Sequence, residues 1–402
     1  MTAQLTGFAT IPVCIVFSVT GSYRTVGQEM LNGALLAIEE INEGGSFDFK
    51  LSPAIANPGG EPAAYGSICE EALRGRVTRH IVGCYTSSSR KEVIPAFEKF
   101  DALLWYPSHY EGFESSSNVI YTGASPNQHI VPLLRYMLRA RGRRVYCVGS
   151  NYIWAWENNR ILREIVHGCG GTVVAEKYLA VGSTDVAHFI NEIRQLRPDF
   201  IFNTLIGESS YAFYRAYARA GESDDRIGPL HIPVTSCSLS EPELLSIGSA
   251  AAGGHIASSV YFQSLDRASN RAFVSRYRAR FGQDKVTSAD AEASYVAVCL
   301  LAHAIRSAGS VEIDQVKKAL YGCRLDAPQG AVWVDSENNH SFLTPRLGIS
   351  REDGQFDTIW TADEPVKPDP YLVWLDAGST GDVLDAPDAG NVRRRHLRMV
   401  LP

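Results

Sequence analysis

The chain has no basic excess: 38 Lys and Arg stand against 44 Asp and Glu, a net charge of −6 over 402 residues. Nucleic acid would favour a basic face, so direct binding to it is not expected. Long apolar runs are also absent. The longest, such as Tyr295 to Ala302, fall well short of the ~18–20 residues of a membrane-spanning helix, and no membrane insertion is expected. The eight cysteines (14, 69, 84, 147, 169, 237, 299 and 323) include no Cys-x-x-Cys pair. They sit mostly in apolar patterns and read as free core thiols rather than a disulfide framework or zinc site, which favours a reducing compartment. The ten histidines show no ligand spacing, so neither metal nor cofactor is expected.

Catalytic signatures are lacking as well. There is no Gly-x-Ser-x-Gly, P-loop, Gly-x-Gly-x-x-Gly after a strand, or His-Glu-x-x-His. Cys84, at a strand end after Gly83, reads better as a packed thiol than as a nucleophile. No catalytic residue is assigned, and the chain is expected not to be an enzyme. The opening MTAQLTGFATIPVCIVFSVTGSY has no basic n-region, cleavage site or lipid-acceptor pattern. It reads as a first core strand rather than a signal peptide. The expected location is the cytoplasm, with the periplasm as the alternative if a leader has been removed.

What is present is organised around residues 81–114. Strand residues Ile81 and Val82 break at Gly83 into a hydroxyl-rich turn, Tyr85 to Ser89. A helix follows, with Val93, Ile94, Phe97 and Phe100 on one face. A second strand, Ala102 to Trp105, ends in Tyr106-Pro107-Ser108. In a parallel sheet with a helical crossover both loops leave at the carboxyl edge, where ligands of open α/β sheets bind. The same alternation runs from strand Val13–Phe17 through helix Glu29–Asn42, strand Phe47–Ala56 and helix Ala63–Arg74. It continues as a second series from Ile130 to Thr235, after a crossing near 119–128. A second crossing is expected at 255–265, followed by helices Ala268–Phe281, Ala289–Ser307 and Ile313–Tyr321 and three antiparallel strands. The expected lobes are 10–125 plus 262–325, and 126–261 plus 326–375, with 376–402 as a surface tail.

Hydroxyl-plus-aromatic loops recur at the strand ends: Ser18–Tyr23, Tyr85–Ser89, Tyr106–Ser108, Tyr152–Trp154, Thr204–Ser209 and Thr235–Ser238. A Ser or Thr before a helix is most often only an N-cap. Six such loops on the carboxyl edges of two lobes describe a cleft that closes by hinge motion over a small, neutral, hydrogen-bonding ligand. Glu208 has two readings, a cleft acceptor or an exposed helix N-terminal acid.

Seven segments carry a family resemblance: FSVTG, NGALLAIEEIN, VGCYTSSSRKEVIP, DALLWYPSHYEGFE, GSNYIWAWENNR, DAPQGAVWVDSENNHS and KPDPYLVW. Over nearly its whole length the chain resembles the amide- and urea-binding branch of the type I periplasmic-binding-protein fold. Within it, the cytoplasmic amide-sensing negative regulators of amidase operons look closest. The resemblance implies two doubly wound parallel-sheet lobes joined by three crossings, with a ligand between them and no catalysis. It also implies a partner, an RNA-binding antiterminator protein that a short amide releases. On matching positions it implies ligand contacts from Tyr85, Ser87, Tyr106, Ser108 and Tyr152, with Trp154, Thr204, Glu208, Thr235 and Ser238 completing the candidate set. Ser108 stands where the amide sensors have Thr, Trp154 where they have Tyr, and Glu208 where they have a neutral residue. An acid near that last position is more like the urea binders. The alternative reading is the substrate-binding protein of an ABC importer for urea or short-chain amides, and homo-oligomer formation is left open.

Overall fold

The computed structural model describes residues 9–373 apart from Val77, so the expected tail at 376–402 lies outside the described residues. In the first lobe β1 (Ala9–Val16), α1 (Arg24–Glu43), β2 (Phe49–Ala56), α2 (Pro62–Arg74), β3 (His80–Gly83), α3 (Ser87–Phe100), β4 (Leu103–Tyr106) and β5 (Val119–Tyr121) alternate. Their strands form a parallel sheet in the order β2-β1-β3-β4-β5. Strands β3 and β4, and the edge strand β5, are buried along their whole length, as a sheet with helices on both faces requires.

The second lobe repeats the plan with α4 (Ile130–Ala140), β6 (Arg144–Ser150), α5 (Ile153–Gly168), β7 (Thr172–Leu179), α6 (Ala187–Leu196), β8 (Phe200–Thr204), α7 (Glu208–Ser223) and β9 (Val234–Ser236). Two short helices, α8 (Glu241–Ile247) and α9 (Ser249–Ala252), lead into β10 (Ile256–Ser259). Residues 256–259 are therefore a sheet strand rather than part of a crossing, and the chain leaves the lobe after them. The helices α10 (Ala268–Phe281), α11 (Ala289–Ala308) and α12 (Ile313–Leu320) return to the first lobe. There the apolar side chains of α11 pack against α1 within one core. No single helix among the described residues is long and apolar enough to cross a membrane.

The small antiparallel sheet β11 (Leu325–Ala327), β12 (Gly330–Val334) and β13 (Ser341–Phe342) also sits in the first lobe. Ala327, Val332, Val334 and Leu343 are buried in the same core as β1 and α11. The chain thus stays in the first lobe past residue 325, where a return to the second was expected. Only β14 (Arg346–Ser350) and β15 (Phe356–Thr361) join the second sheet, in the order β15-β14-β10-β9-β8-β6-β7. Sequence alternation identifies these segments as strands but not the sheet they join, because that depends on which apolar face finds a partner.

The three crossings are bonded to one another. Gln128 donates to the Ser341 carbonyl at 3.0 Å and the Val366 carbonyl at 2.8 Å. The buried Arg346 guanidinium donates to the carbonyls of Val260 and Gln329. Ser341 Oγ donates to the Tyr121 carbonyl at 2.9 Å. These bonds tie the hinge strands into one unit beneath the cleft.

Candidate functional site

On the first-lobe side, the site begins where β3 stops. A Cβ on Gly83 would meet the Val16 carbonyl oxygen at 2.5 Å, so only glycine fits there. Cys84 then adopts a left-handed φ of 65° and donates its amide to the same carbonyl at 3.1 Å. Such a conformation costs energy in a residue with a side chain and persists only where its surroundings enforce it. This kink turns the chain into α3. Thr86 caps that helix, its Oγ1 accepting from the Ser89 amide at 3.1 Å, which leaves the Ser87 and Ser88 amides without helical acceptors. The Cys84 thiol is fully buried and its pKa is pushed up to about 12 by burial, which makes it a poor nucleophile.

Ser87 is held from behind. Its Oγ donates to Glu111 Oε2, while Glu111 Oε1 accepts from Arg90 at 3.1 Å. The Arg90 guanidinium is completely buried between the Tyr106 and Tyr110 rings, 4.7 and 4.6 Å from their centroids. It also donates to Glu114 at 2.6 Å, and Lys91 reaches the same carboxylate at 2.7 Å. Burial raises the pKa of the Glu114 carboxyl, but the positive charges of Arg90 and Lys91 outweigh it and bring the value to about 2. Gly123 packs against the Ser108 backbone, where a Cβ would lie 2.1 Å from the carbonyl. The loop carrying Ser108 is thereby fixed.

The second-lobe wall is aromatic. Tyr152 precedes the first turn of α5 and stacks on Trp154, their centroids 6.2 Å apart. Trp154 meets His109 of the first lobe edge-on at 5.5 Å, and Tyr23 approaches Tyr85 at 5.9 Å. The indole Nε1 of Trp154 is buried without a hydrogen-bond partner among the described residues. A buried donor left alone costs roughly 1–3 kcal/mol, so this one favours an acceptor brought by a ligand.

Of the ten residues singled out from sequence, Tyr85, Ser87, Ser108, Tyr152, Trp154 and Ser238 line one interlobe cavity of about 230 Å³. Thr86, His109 and Ile206 complete it. His109 follows Ser108 directly, so the loop that pointed to Ser108 was read one residue short. The other four lie elsewhere. Tyr106 stands behind the wall and donates to the Tyr85 carbonyl at 2.8 Å. Thr204 and Thr235 turn their hydroxyls to neighbouring strands, donating to the carbonyls of Val148 at 3.2 Å and Ile201 at 2.9 Å. Glu208 is a correction to the cleft-facing reading. It is exposed at the mouth of the cleft and pairs with Arg24 of the opposite lobe at 3.0 Å.

Residues 11–377 match the family model described as "periplasmic binding protein domain". Among solved structures, the fold is similar to a solute binding protein of an ABC transporter from Rhodopseudomonas palustris HaA2 in complex with p-hydroxybenzoic acid. That match has TM-score 0.80 and 20% identity, covering 90% of this chain and 99% of that one. An amino acid ABC transporter substrate-binding protein from Pseudomonas fluorescens Pf-5 matches with TM-score 0.77 and 17% identity over 93% and 99%. A leucine binding protein from Thermotoga maritima MSB8 matches with TM-score 0.75 and 16% identity over 88% and 98%. At these identities the likeness speaks for the fold alone. A stretch of 126 residues is 34% identical to a protein named limonene hydroxylase from Geobacillus stearothermophilus. It spans 31% of this chain and 23% of that protein's length.

Proposed function

We propose that this chain, which belongs to the periplasmic binding protein family, binds a small amide or urea-like molecule between its lobes and serves as the solute-binding component of an ABC importer. The interlobe cavity and the polar groups on its walls carry this reading. The helix-terminal amides of α3 and the free Trp154 indole N–H converge on it as donors, while the Ser87 hydroxyl, its proton given to Glu111, offers an acceptor. An amide or urea carbonyl accepts from the N–H groups, and its own N–H donates to the hydroxyl oxygen. The structural relatives hold aromatic acids or belong to amino acid transport systems. Here neither Lys nor Arg among the described residues lines the cavity, and a buried carboxylate there would lack a countercharge.

A second reading is the cytoplasmic amide sensor that sequesters an antiterminator. It rests on the motif resemblance and on the eight free cysteines, seven of them buried, which suit a reducing compartment. Recovery of the chain in a periplasmic fraction would discard it.

Calorimetric titration with acetamide, propionamide, butyramide, formamide, urea, leucine and 4-hydroxybenzoate tests the ligand class. A short amide or urea should bind saturably, and Ser87→Ala should weaken it about tenfold, the size of one buried hydrogen bond. Binding of leucine or 4-hydroxybenzoate alone would overturn the amide reading.

A further inference from the structure

Between the cleft and the hinge lies a second, partly open space. It shares His109 and Ser238 with the first cavity, so the two adjoin. Its walls are largely apolar, from residues such as Ala124, Leu239, Val260 and Ala293. Two polar groups in them are poorly matched. His129 is 1% exposed, its Nε2 lies 2.9 Å from the Tyr110 carbonyl, and its Nδ1 has no partner among the described residues. The carbonyl can only accept, so Nε2 carries the proton. Burial holds the ring's pKa down to about 3, and His109 adds to the effect. The ring is neutral, and Nδ1 is a bare acceptor in the wall.

Asp290 is 5% exposed, and its Oδ1 lies 3.8 Å from His109 Nδ1. Among the described residues no Lys or Arg lines the space. The carboxylate also bears on its surroundings: after burial, Asp290 is the next largest influence raising the Tyr85 and Glu243 pKa values. The hinge-side space therefore presents unmatched acceptors, while the adjoining cavity presents the unmatched Trp154 donor. A ligand satisfying both has an acceptor at one end and a nitrogen donor at the other.

We propose that the hinge-side space takes a cationic far end of the ligand, an ammonium group held by Asp290 and His129. The preferred ligand is then a short aliphatic amide bearing a terminal amine. Its neutral amide head sits against Ser87 and Trp154. This rests on the amide reading of the first cavity and names the class of amide.

The experiment is calorimetric titration of the full chain with propionamide, 3-hydroxypropionamide and 3-aminopropionamide. The amine should bind about tenfold or more tighter than either neutral amide, as expected of one enclosed charge-assisted contact. In Asp290→Asn that preference should collapse to within about twofold. Equal binding of the three, or an amine preference that survives Asp290→Asn, overturns the proposal and leaves the amide reading standing. If none of the three binds, the amide reading fails and this proposal with it. If Asp290→Asn does not fold, the ratio measured on the unaltered chain decides.

Discussion

Behind Ser87 in the first lobe stand the buried Arg90 and Glu111 and the largely buried Glu114, paired with one another. Behind Ser238 in the second stand Glu241 and Glu243, equally buried, with hydrogen bonds but no cation. The two groups sit at comparable depth, and opposite electrostatics result. Glu114 is held at about 2. Glu241 and Glu243 are both raised to about 8 by burial, the latter with help from Asp290. Burial penalises charge in both lobes, and only a fully enclosed cation reverses the outcome. The first wall is thus a rigid ionic frame that orients Ser87. The second is a neutral, aromatic wall that closes over it.

The largest way to break this comparison is Arg90→Met. Removing the guanidinium leaves the buried Glu111 carboxylate without a cation and Glu114 with Lys91 alone, and stability should fall by about 3–5 kcal/mol. Thermal unfolding measures it, and an unchanged midpoint would mean the frame is not what holds the first wall.

The next test is pH. An ordinary glutamate titrates near 4.5. Glu114 has a lowered folded pKa, so its contribution is complete above about pH 4.5 and is lost as the pH falls toward 2. Glu241 and Glu243 have raised folded values. Their contribution is complete below about pH 4.5 and is lost as the pH rises through 8. The double variant Glu241→Gln, Glu243→Gln should therefore flatten the decline in stability between about pH 5 and 9, an effect on the order of a few kcal/mol. A variant that declines as steeply as the parent would assign the loss to other groups.

Smaller effects sharpen the comparison at the ligand. Trp154→Phe keeps an aromatic ring and removes the unpartnered N–H, so amide affinity should drop about fivefold to tenfold in calorimetry. No change would mean the indole serves only as an apolar surface. Least of all, Arg24→Ala removes the exposed pair with Glu208 across the cleft mouth. Affinity should stay within about twofold, as expected of a solvated ion pair.

The elements themselves were legible. Val93 and Phe97, read as one helix face, are buried on α3, and the bounds of α10 coincide with the expected ones. Helical and strand periodicity are local signals, and the amphipathic faces they describe must be buried somewhere. The hydroxyl loops were legible for the same reason, since they follow apolar strands. Their orientation was not. Thr204 and Ser108 look alike in sequence, yet one donates to a neighbouring strand and the other lines the cavity.

The charges within 81–114 carried the least visible signal. Nothing local singles out Arg90, Glu111 and Glu114, because a charged side chain is rarely buried unless paired. Their pairing spans 21 and 24 residues and exists only once β4 and the loop after it fold back on α3. The same holds for Arg24 and Glu208, 184 residues apart, and for the small sheet β11 to β13, which packs on the first core. Sequence by itself determined where strands, helices and hydroxyl-bearing loops begin, because those depend on neighbours a few residues away. Tertiary structure decided which hydroxyls face the cavity, which charges are enclosed and which lobe the final strands join, because burial and Coulomb energies depend on distance in space.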